Sequence, residues 1–343
     1  MIETQLIRDQ WYVAAFSHEV GRELIGRTVA GEPIVLYRTQ AGEPVALADR
    51  CVHRRYPLSL STLDGDSIVC GYHGFTYEPG GACVYVPAQE RIPRTAAVTR
   101  YPVVEKDSFV WVWIGGGDPD TAGVPRAGWF DDPAWVVVGG LEHLPARYAL
   151  LVDNLLDLSH ETYLHAGTIG TPEVAATPIT TTVDDDGVVY VSRHMADVPC
   201  PPFYATSTGI PGRIDRWQDI EYHPPCLYLL HVRVAPTGVQ PGPDGQDRDA
   251  FHVKVMYGIT PETAHTTHIF WAVARDFAQA DTEVSDFMRH SNRTVIAQDI
   301  AALSTLEQVV LADAGAYREL SVNIDTGGLA ARRLLKRMRR GTP

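Results

Sequence analysis

Two short segments between residues 51 and 74 each combine one cysteine with one histidine. They read Cys51-Val-His53 and, after sixteen intervening residues, Cys70-Gly-Tyr-His73. Thiolates are soft ligands for zinc or iron–sulfur clusters, whereas imidazole suits iron, zinc and copper. Zinc fingers usually segregate their cysteines from their histidines, but here each segment offers one sulfur and one nitrogen. A two-iron cluster with both cysteines on one iron and both histidines on the other needs this arrangement.

The same four residues are also compatible with a zinc site of unusual spacing, or with a chance arrangement that has no chemical meaning. The mixed pairing argues against the common zinc-finger patterns. Gly71 and Gly74 lie in the second segment, where glycine permits a tight turn and a close approach of main-chain amides to the cluster sulfurs. These features favour the cluster.

A second group of polar residues lies about eighty positions later. Residues 153–165 read Asp-Asn-Leu-Leu-Asp-Leu-Ser-His-Glu-Thr-Tyr-Leu-His. Non-haem Fe(II) sites use two histidines and one carboxylate, and His160 and His165 are candidates for the two histidines. Five residues of a regular helix rotate a side chain by about 140°, so we predict that the helix carrying Asp157 and His160 breaks or bulges before His165. The alternative is an ordinary amphipathic helix with its leucines inward.

The cluster segments, followed by N-x2-D-x2-H-x4-H, resemble the catalytic subunits of Rieske non-haem iron oxygenases. The resemblance covers nearly the whole chain and is closest to the shorter monooxygenases of the vanillate O-demethylase and dicamba monooxygenase branch. It includes the opening Gln10-Trp-Tyr-Val-Ala14 and the later Thr260-Pro-Glu-Thr263 and Thr267-His268.

The resemblance implies an α+β protein with an N-terminal all-β Rieske domain and a catalytic domain of the helix-grip, START-like kind. We place the domains at 1–118 and 119–343, because a strand over 108–114 ends at the turn-forming sequence 115–119. Strand character, from β-branched and aromatic residues, is found at 10–16, 33–38, 178–183, 187–195, 217–223, 226–234, 251–259 and 265–275. Short turns separate successive strands, which implies antiparallel sheets. Helices are expected at 150–163 and within 281–315.

The third iron ligand is expected in the helical segment 281–315. Composition alone does not choose Asp299 over other carboxylates of this segment, such as Asp281, Glu283, Asp286 and Asp313. The resemblance favours Asp299, which matches the position of the family's carboxylate.

The resemblance also implies the cofactors and the chemistry. Cys51, His53, Cys70 and His73 would hold a [2Fe–2S] cluster, and His160, His165 and Asp299 would hold Fe(II). The implied function is the terminal oxygenase of a Rieske monooxygenase that uses O2 for oxidative O-demethylation of a vanillate-like methoxylated aromatic acid, giving a phenol and formaldehyde.

Two alternative functions are open. One is a Rieske hydroxylase or N-demethylase of another aromatic or alicyclic compound. The other is a non-enzymatic Rieske electron carrier. A carrier needs only about 100 residues, whereas this chain continues well beyond the cluster segments and contains a second iron motif.

Asp157 and Asn154 are the further candidates within the ligand helix. In resembling enzymes the matching aspartate links a cluster histidine of one subunit to an iron histidine of its neighbour in a homotrimer. A carboxylate can fix both imidazoles by hydrogen bonding. Transfer within one subunit, and a capping role for Asp157, are the alternatives. Asn154 is expected to line the iron pocket or to support the helix.

The substrate contacts are predicted from strand-like segments. The branch has a histidine three residues before the Thr-Pro-Glu sequence, and here that position is Tyr257. His252, His268 and His231 are further candidates to point into the pocket. Each is also compatible with an ordinary core or surface histidine.

The remaining sequence features bound the partners and the compartment. No strand-linked G-x-G-x-x-G is visible, so a separate reductase, with or without a ferredoxin, would supply electrons from NAD(P)H. The net charge of −13 disfavours nucleic acid. No run of about 18 apolar residues and no export signal are seen. Cys83, Cys200 and Cys226 are interpreted as free thiols, so we expect a cytoplasmic protein.

Two surface segments have distinctive compositions. The stretch 237–249 is rich in glycine, proline and aspartate and predicts a loop. The basic stretch 332–340 predicts the end of a helix that packs its leucines inward while its charges complement the helix dipole.

Overall fold

The computed structural model describes residues 6–87, 89–117, 119–241, 247, 249–313 and 317–340. Its eighteen strands pair antiparallel throughout. The first eleven are β1 Gln10–Phe16, β2 Ile25–Val29, β3 Glu32–Arg38, β4 Pro44–Ala48, β5 Thr62–Asp64, β6 Ser67–Val69, β7 Thr76–Tyr77, β8 Cys83–Tyr85, β9 Arg100–Tyr101, β10 Val103–Lys106 and β11 Phe109–Ile114. They form three small sheets in the orders β1-β11-β10, β2-β3-β4-β9 and β5-β6-β7-β8.

A seven-stranded sheet forms most of the second half, in the order β12-β18-β17-β16-β15-β14-β13. Its strands are β12 Val136–Leu144, β13 Thr180–Val183, β14 Val189–Pro199, β15 Arg213–His223, β16 Leu227–Pro236, β17 Phe251–Pro261 and β18 Thr267–Arg275. The helices are α1 Tyr148–Leu156, α2 Glu161–Leu164, α3 Pro172–Ala176, α4 Pro202–Thr208, α5 Thr282–Ala312 and α6 Thr326–Arg340. The predicted α+β architecture is confirmed.

The two faces of the large sheet have different neighbours, because successive side chains of a strand point to opposite faces. The inner face carries Tyr257 and Ile259, which belong to one apolar core with Ile296 and Leu303 of α5. The outer face carries Met256, which belongs to a second core shared with the β1-β11-β10 sheet. The large sheet therefore separates the helices from the N-terminal sheets.

The contact between the N-terminal sheets and the large sheet is apolar and tied by hydrogen bonds to main-chain carbonyls. Thr260 donates its hydroxyl to the carbonyl of Val13 at 2.7 Å, and the Cys226 thiol donates to the carbonyl of Trp11 at 3.2 Å. Burial of Cys226 raises its pKa to about 12, so this thiol stays protonated and unreactive.

Helix α5 is the longest helix, and it has the length and mean hydropathy that a membrane span would need. A helix in the core of a domain meets the same criteria. Helix α5 packs against β12, β18, α1 and α4, and its inward face carries the buried carboxylates Asp299 and Glu307. One face of α5 is therefore packed against the domain, with its buried carboxylates held by protein partners.

The two predicted surface segments differ in outcome. The predicted loop 237–249 lies mostly outside the described residues, which include only 237–241, 247 and 249 within it. The C-terminal stretch is helix α6, and it buries Leu334 and Leu335 against the rest of the domain, as predicted.

Candidate functional site

The two cysteine–histidine segments form a pair of similar loops at one end of the N-terminal sheets. In the first, the amide of Arg55 donates to the carbonyl of Cys51, and in the second the amide of Gly74 donates to the carbonyl of Cys70, both at 2.9 Å. Arg55 and Gly74 both have positive φ, 61° and 72°, so glycine at position 74 serves the turn as expected.

The side chains of these loops separate into a sulfur pair and an imidazole pair. Cys51 and Cys70 are buried, and burial followed by the proximity of Cys51 raises the pKa of Cys70. The rings of His53 and His73 lie 4.5 Å apart, and the buried Nδ1 of His53 has no hydrogen-bond partner. Buried polar atoms in proteins normally have partners, so this nitrogen fits a metal ligand. The donor set fits a two-iron cluster with one iron on each pair.

Three side chains from distant parts of the chain meet between the ligand segment and α5. One ligand atom each of His160, His165 and Asp299 lie within 4.8 Å of one another. Asp299 Oδ1 is 3.2 Å from His165 Nε2 and 3.6 Å from His160 Nε2. His165 and Asp299 are buried, with 1% and 4% exposure. Two imidazoles and one carboxylate are the ligand set of non-haem Fe(II) oxygenases.

The predicted interruption before His165 is present, but the helix predicted over 150–163 ends earlier, so that Asp157 and His160 do not lie on it. Helix α1 ends at Leu156, and Asp157 leaves helical geometry with φ −123° and ψ 89°. A 3-10 turn over Leu158–His160 and the short α2 follow, and His165 lies just past the end of α2. The break therefore precedes His160. Its cause is the Asp157 carboxylate, which accepts from the amide of Ser159 at 2.9 Å and caps the new turn.

Sequence families and solved structures with these features are known. Residues 10–102 match the model of the Rieske [2Fe-2S] domain, and residues 144–341 match the vanillate O-demethylase oxygenase C-terminal domain. The chain belongs to this family of Rieske oxygenases.

Named relatives and a solved structure agree with this assignment. The vanillate O-demethylase oxygenase subunit of Pseudomonas sp. (strain HR199 / DSM 7063) is 35% identical over 96% of this chain and 94% of its own. An iron-sulfur subunit of the toluene-4-sulfonate monooxygenase system of Comamonas testosteroni is 34% identical over 89% of each chain. The crystal structure of dicamba monooxygenase bound to 3,6-dichlorosalicylic acid superposes with a TM-score of 0.90 at 29% identity, covering 97% of both chains.

The family assignment identifies this Rieske oxygenase as an enzyme with a [2Fe–2S] cluster and a mononuclear non-haem iron. It works as the oxygenase component of a multicomponent system, with a reductase or ferredoxin as electron donor and an aromatic substrate. The expected family, architecture and cofactors are therefore confirmed. The domain boundary at 118/119 falls between the two matched ranges and remains a prediction; residue 118 is outside the described residues.

Hydrogen bonds of the Rieske oxygenase fix both imidazoles of the triad. His160 Nδ1 donates to the main-chain carbonyl of Asp157 at 2.6 Å, and His165 Nδ1 donates to Gln298 Oε1 at 2.7 Å. Asn154 Nδ2 donates to Asp299 Oδ1 at 3.2 Å. Metal-binding histidines usually donate their second nitrogen in this way, so each Nε2 is left free to face the other members of the triad.

The predicted substrate residues divide between the two faces of the sheet. Tyr257 lies on the inner face, 5.9 Å from the ring of Tyr228, and burial followed by the charge of Asp299 raises its pKa. His252 and His268 lie on the outer face instead. His252 Nδ1 pairs with Asp276 at 2.6 Å, and His268 Nε2 lies 3.9 Å from Glu262. The expectation that they point into the iron pocket is corrected, because the strand alternation turns them away.

The expectation that His231 points into the iron pocket is corrected for the same reason. It lies on the outer face, where its Nε2 is 3.2 Å from Glu221. The phenol of Tyr228, by contrast, is buried on the inner face without a hydrogen-bond partner. Burial raises the pKa of Tyr228, so it is a neutral donor. Sequence reasoning missed this residue, because a tyrosine in an apolar strand carries no signal of the face it occupies.

A buried ion pair holds the ligand segment against the sheet. Glu161, directly after His160, accepts from Arg216 Nη2 and from Gln218 Nε2, both at 3.0 Å. All three side chains are almost fully buried. Gly170 approaches the carbonyl of Glu161 so closely that a Cβ atom there would lie 1.8 Å away. Sequence reasoning missed this network too; polar residues alternating at 216 and 218 within a strand were the available signal.

Proposed function

We propose that the chain is the terminal oxygenase of a Rieske monooxygenase that removes the methyl group of a methoxylated aromatic acid of the vanillate type, giving a phenol and formaldehyde. Support comes from relatives named vanillate O-demethylase oxygenase subunit and dicamba O-demethylase, oxygenase component. The observation that carries the oxygenase part of the proposal is the convergence of two imidazoles and one carboxylate.

In this proposal each metal-binding residue has a stated role. Cys51, Cys70, His53 and His73 hold the cluster, and His160, His165 and Asp299 hold Fe(II). Bound iron would supply O2 activation. Asn154 supports Asp299 by its hydrogen bond. Tyr257 and Tyr228 present neutral phenols on the same face of the sheet, where they can donate to an oxygen of the substrate.

Asp157 is proposed as the electron-transfer link between subunits of a homotrimer. It lines a groove of about 300 Å³ that also contains the carboxylates Asp153, Glu319 and Asp325 and one cation, Arg332, which pairs with Asp153 and Glu319, so the groove keeps an excess of negative charge. The exposed tip of the cluster loops carries Arg54, Arg55 and the 60% exposed Tyr72. A basic, aromatic tip and an acidic groove are complementary in charge. The tip of one subunit would therefore fit the groove of its neighbour.

Metal analysis tests the two iron sites. Anaerobically purified protein should contain about three irons and two acid-labile sulfides per chain, because the cluster accounts for two of each. Two irons with two sulfides after iron reconstitution would contradict the mononuclear site. Zinc without sulfide would contradict both sites.

Product analysis tests the reaction. With a reductase and NAD(P)H, a panel of methoxybenzoates should yield stoichiometric formaldehyde and the matching phenol, and His160→Ala should yield none. The alternative function, hydroxylation or N-demethylation of another ring compound, is favoured if methoxybenzoates release no formaldehyde while other ring compounds, including N-methylated ones, are turned over. A Rieske hydroxylase would leave the methoxy group in place.

A mixing experiment tests transfer between subunits. His160→Ala keeps the cluster ligands, and His73→Ala keeps the mononuclear triad. If electrons pass between neighbours, mixed oligomers of these two inactive variants should recover activity. Equal inactivity of the mixture, with mixed oligomers verified by mass, would show transfer within one subunit. Analytical ultracentrifugation of the wild type gives the oligomeric state.

We further propose that the enzyme is cytoplasmic. This location fits the cysteines of the described residues, which form no disulfide bonds with one another.

A further inference from the structure

Two consecutive residues of α5 contact the two ring nitrogens of one imidazole. Asp299 Oδ1 lies 3.2 Å from His165 Nε2, and Gln298 Oε1 lies 2.7 Å from His165 Nδ1. Adjacent residues of a helix point about 100° apart, so the ring is held between the two side chains. We propose that Gln298 is a positioning residue of the mononuclear site, which fixes the proton of His165 on Nδ1 and directs the Nε2 lone pair to the metal.

The chemistry of imidazole gives the reason. A neutral imidazole carries one N–H and one lone pair, and the hydrogen bond of one nitrogen decides which nitrogen can bind a metal. An amide oxygen accepts but cannot donate, so Gln298 Oε1 requires the hydrogen on Nδ1. His165 is 1% exposed, and water therefore cannot readily replace the glutamine oxygen as acceptor.

The two imidazoles of the triad differ in the nature of their acceptors. His160 Nδ1 donates to a main-chain carbonyl, that of Asp157. A side-chain substitution does not remove this acceptor. His165 Nδ1 donates to the Gln298 side chain instead. The Gln298 amide is neutral, so it adds no second negative charge beside Asp299, the carboxylate of the triad. Gln298 is accordingly the position where the ligand orientation can be altered while all three ligands stay in place.

Three variants test the role of Gln298, which rests on the proposed iron site. Gln298→Leu keeps the approximate size and removes the acceptor, whereas Gln298→Glu keeps an acceptor oxygen. Gln308→Leu makes the same change at an exposed position of the same helix and is the matched control. The readout is Co(II) binding to protein stripped of mononuclear iron, followed by the visible absorption of the bound cobalt. The cluster absorption and the unfolding temperature are recorded for each variant.

We expect Gln298→Leu to bind Co(II) about 10 to 100-fold more weakly than the wild type, which is the usual effect of losing such a partner. Gln298→Glu should restore wild-type affinity or exceed it, and Gln308→Leu should match the wild type. Wild-type affinity in Gln298→Leu would overturn the role of Gln298, and so would an equal loss in the leucine and glutamate variants. Wild-type protein that binds no cobalt would instead overturn the iron site itself.

Discussion

The cluster loops and the His160–His165–Asp299 triad are built in different ways. The cluster residues all lie between positions 51 and 73, in two loops closed by hydrogen bonds between near neighbours in sequence. The triad joins residue 299 to a segment that ends at residue 165, and its contacts are tertiary. A local site depends on its own turns, whereas a site of distant residues depends on everything that holds its elements together.

The surroundings of the two sites follow this difference. The histidine His73 and its neighbour Tyr72 are exposed at the tip of the loops, where another protein can reach them. In the triad, by contrast, His165 and Asp299 are buried, and two buried ion pairs lie near them. Arg216 pairs with Glu161 beside the ligand segment, and Arg147 pairs with Glu307 between the start of α1 and the end of α5. A side-chain substitution at one site should therefore leave the other site unchanged.

The largest expected effect is that of His160→Ala. Removing one of three ligands should abolish mononuclear iron binding and all turnover, while the cluster absorption and its reduction by dithionite stay unchanged. Iron content, sulfide content and formaldehyde release measure these quantities. Loss of the cluster in this variant would show that the two sites depend on each other for assembly, which would contradict their structural independence.

Arg216→Met should lower the free energy of unfolding by about 3–5 kcal/mol, because it leaves the Glu161 carboxylate buried and unpaired. It should also weaken the mononuclear site, since Glu161 adjoins His160. Chemical denaturation measures the stability. The control is Arg289→Met, which breaks the exposed pair with Asp286 at 2.6 Å and should change stability by no more than about 0.5 kcal/mol. Equal effects of the two substitutions would contradict the anchoring role of the buried pair.

Tyr77→Phe should act on the cluster alone. The buried Tyr77 hydroxyl lies 3.1 Å from Cys51 Sγ, and a hydrogen bond to a ligand sulfur stabilises the more negative, reduced cluster. Losing about 1 kcal/mol of this stabilisation should lower the reduction potential by about 40 mV.

A redox titration of the reduced-cluster signal measures this potential. Tyr37→Phe is the control, because that hydroxyl donates to the carbonyl of Asp66 at 3.0 Å, away from the cluster residues. A shift of the same size in both variants would assign the effect to general loosening of the domain.

The smallest expected effect concerns His252 on the outer face. Its hydrogen bond to Asp276 raises the pKa of His252 above the ordinary value. A raised folded pKa means that the contact stabilises fully below the ordinary pKa, about 6.5, and that this stabilisation is lost as pH rises through the folded pKa.

Asp276→Asn tests this pH dependence. The variant should be less stable than the wild type at pH 5.5 by about 1 kcal/mol or less, and the difference should shrink by pH 8.5. Urea denaturation at the two pH values measures it. Because His252 faces away from the triad, substrate turnover at pH 8.5 should be unchanged. A large loss of turnover at pH 8.5 would indicate that His252 does take part in substrate binding.

Strand patterns with strong alternation or apolar runs were predictable nearly to the residue. The strand predicted at 10–16 is β1, Gln10–Phe16, and the strand predicted at 108–114 is β11, Phe109–Ile114. The end of the ligand helix was not predictable in this way, because its position at Leu156 depends on a hydrogen bond between the Asp157 carboxylate and the Ser159 amide. Asp is frequent both in helices and at their caps, so the residue type alone did not decide where the helix would break.

The sequence by itself determined the chemistry available to this protein. The mixed cysteine–histidine pairs and the N-x2-D-x2-H-x4-H segment define their donor atoms by residue type and spacing, and their family resemblance is confirmed. Only the tertiary structure decided which groups meet. It selected Asp299 from six carboxylates of one segment, turned His252 and His268 to the outer face, and brought Gln298 and Arg216 to the ligand segment. The physical reason is that strand register and helix packing set side-chain direction, and both are fixed by contacts between residues far apart in the chain.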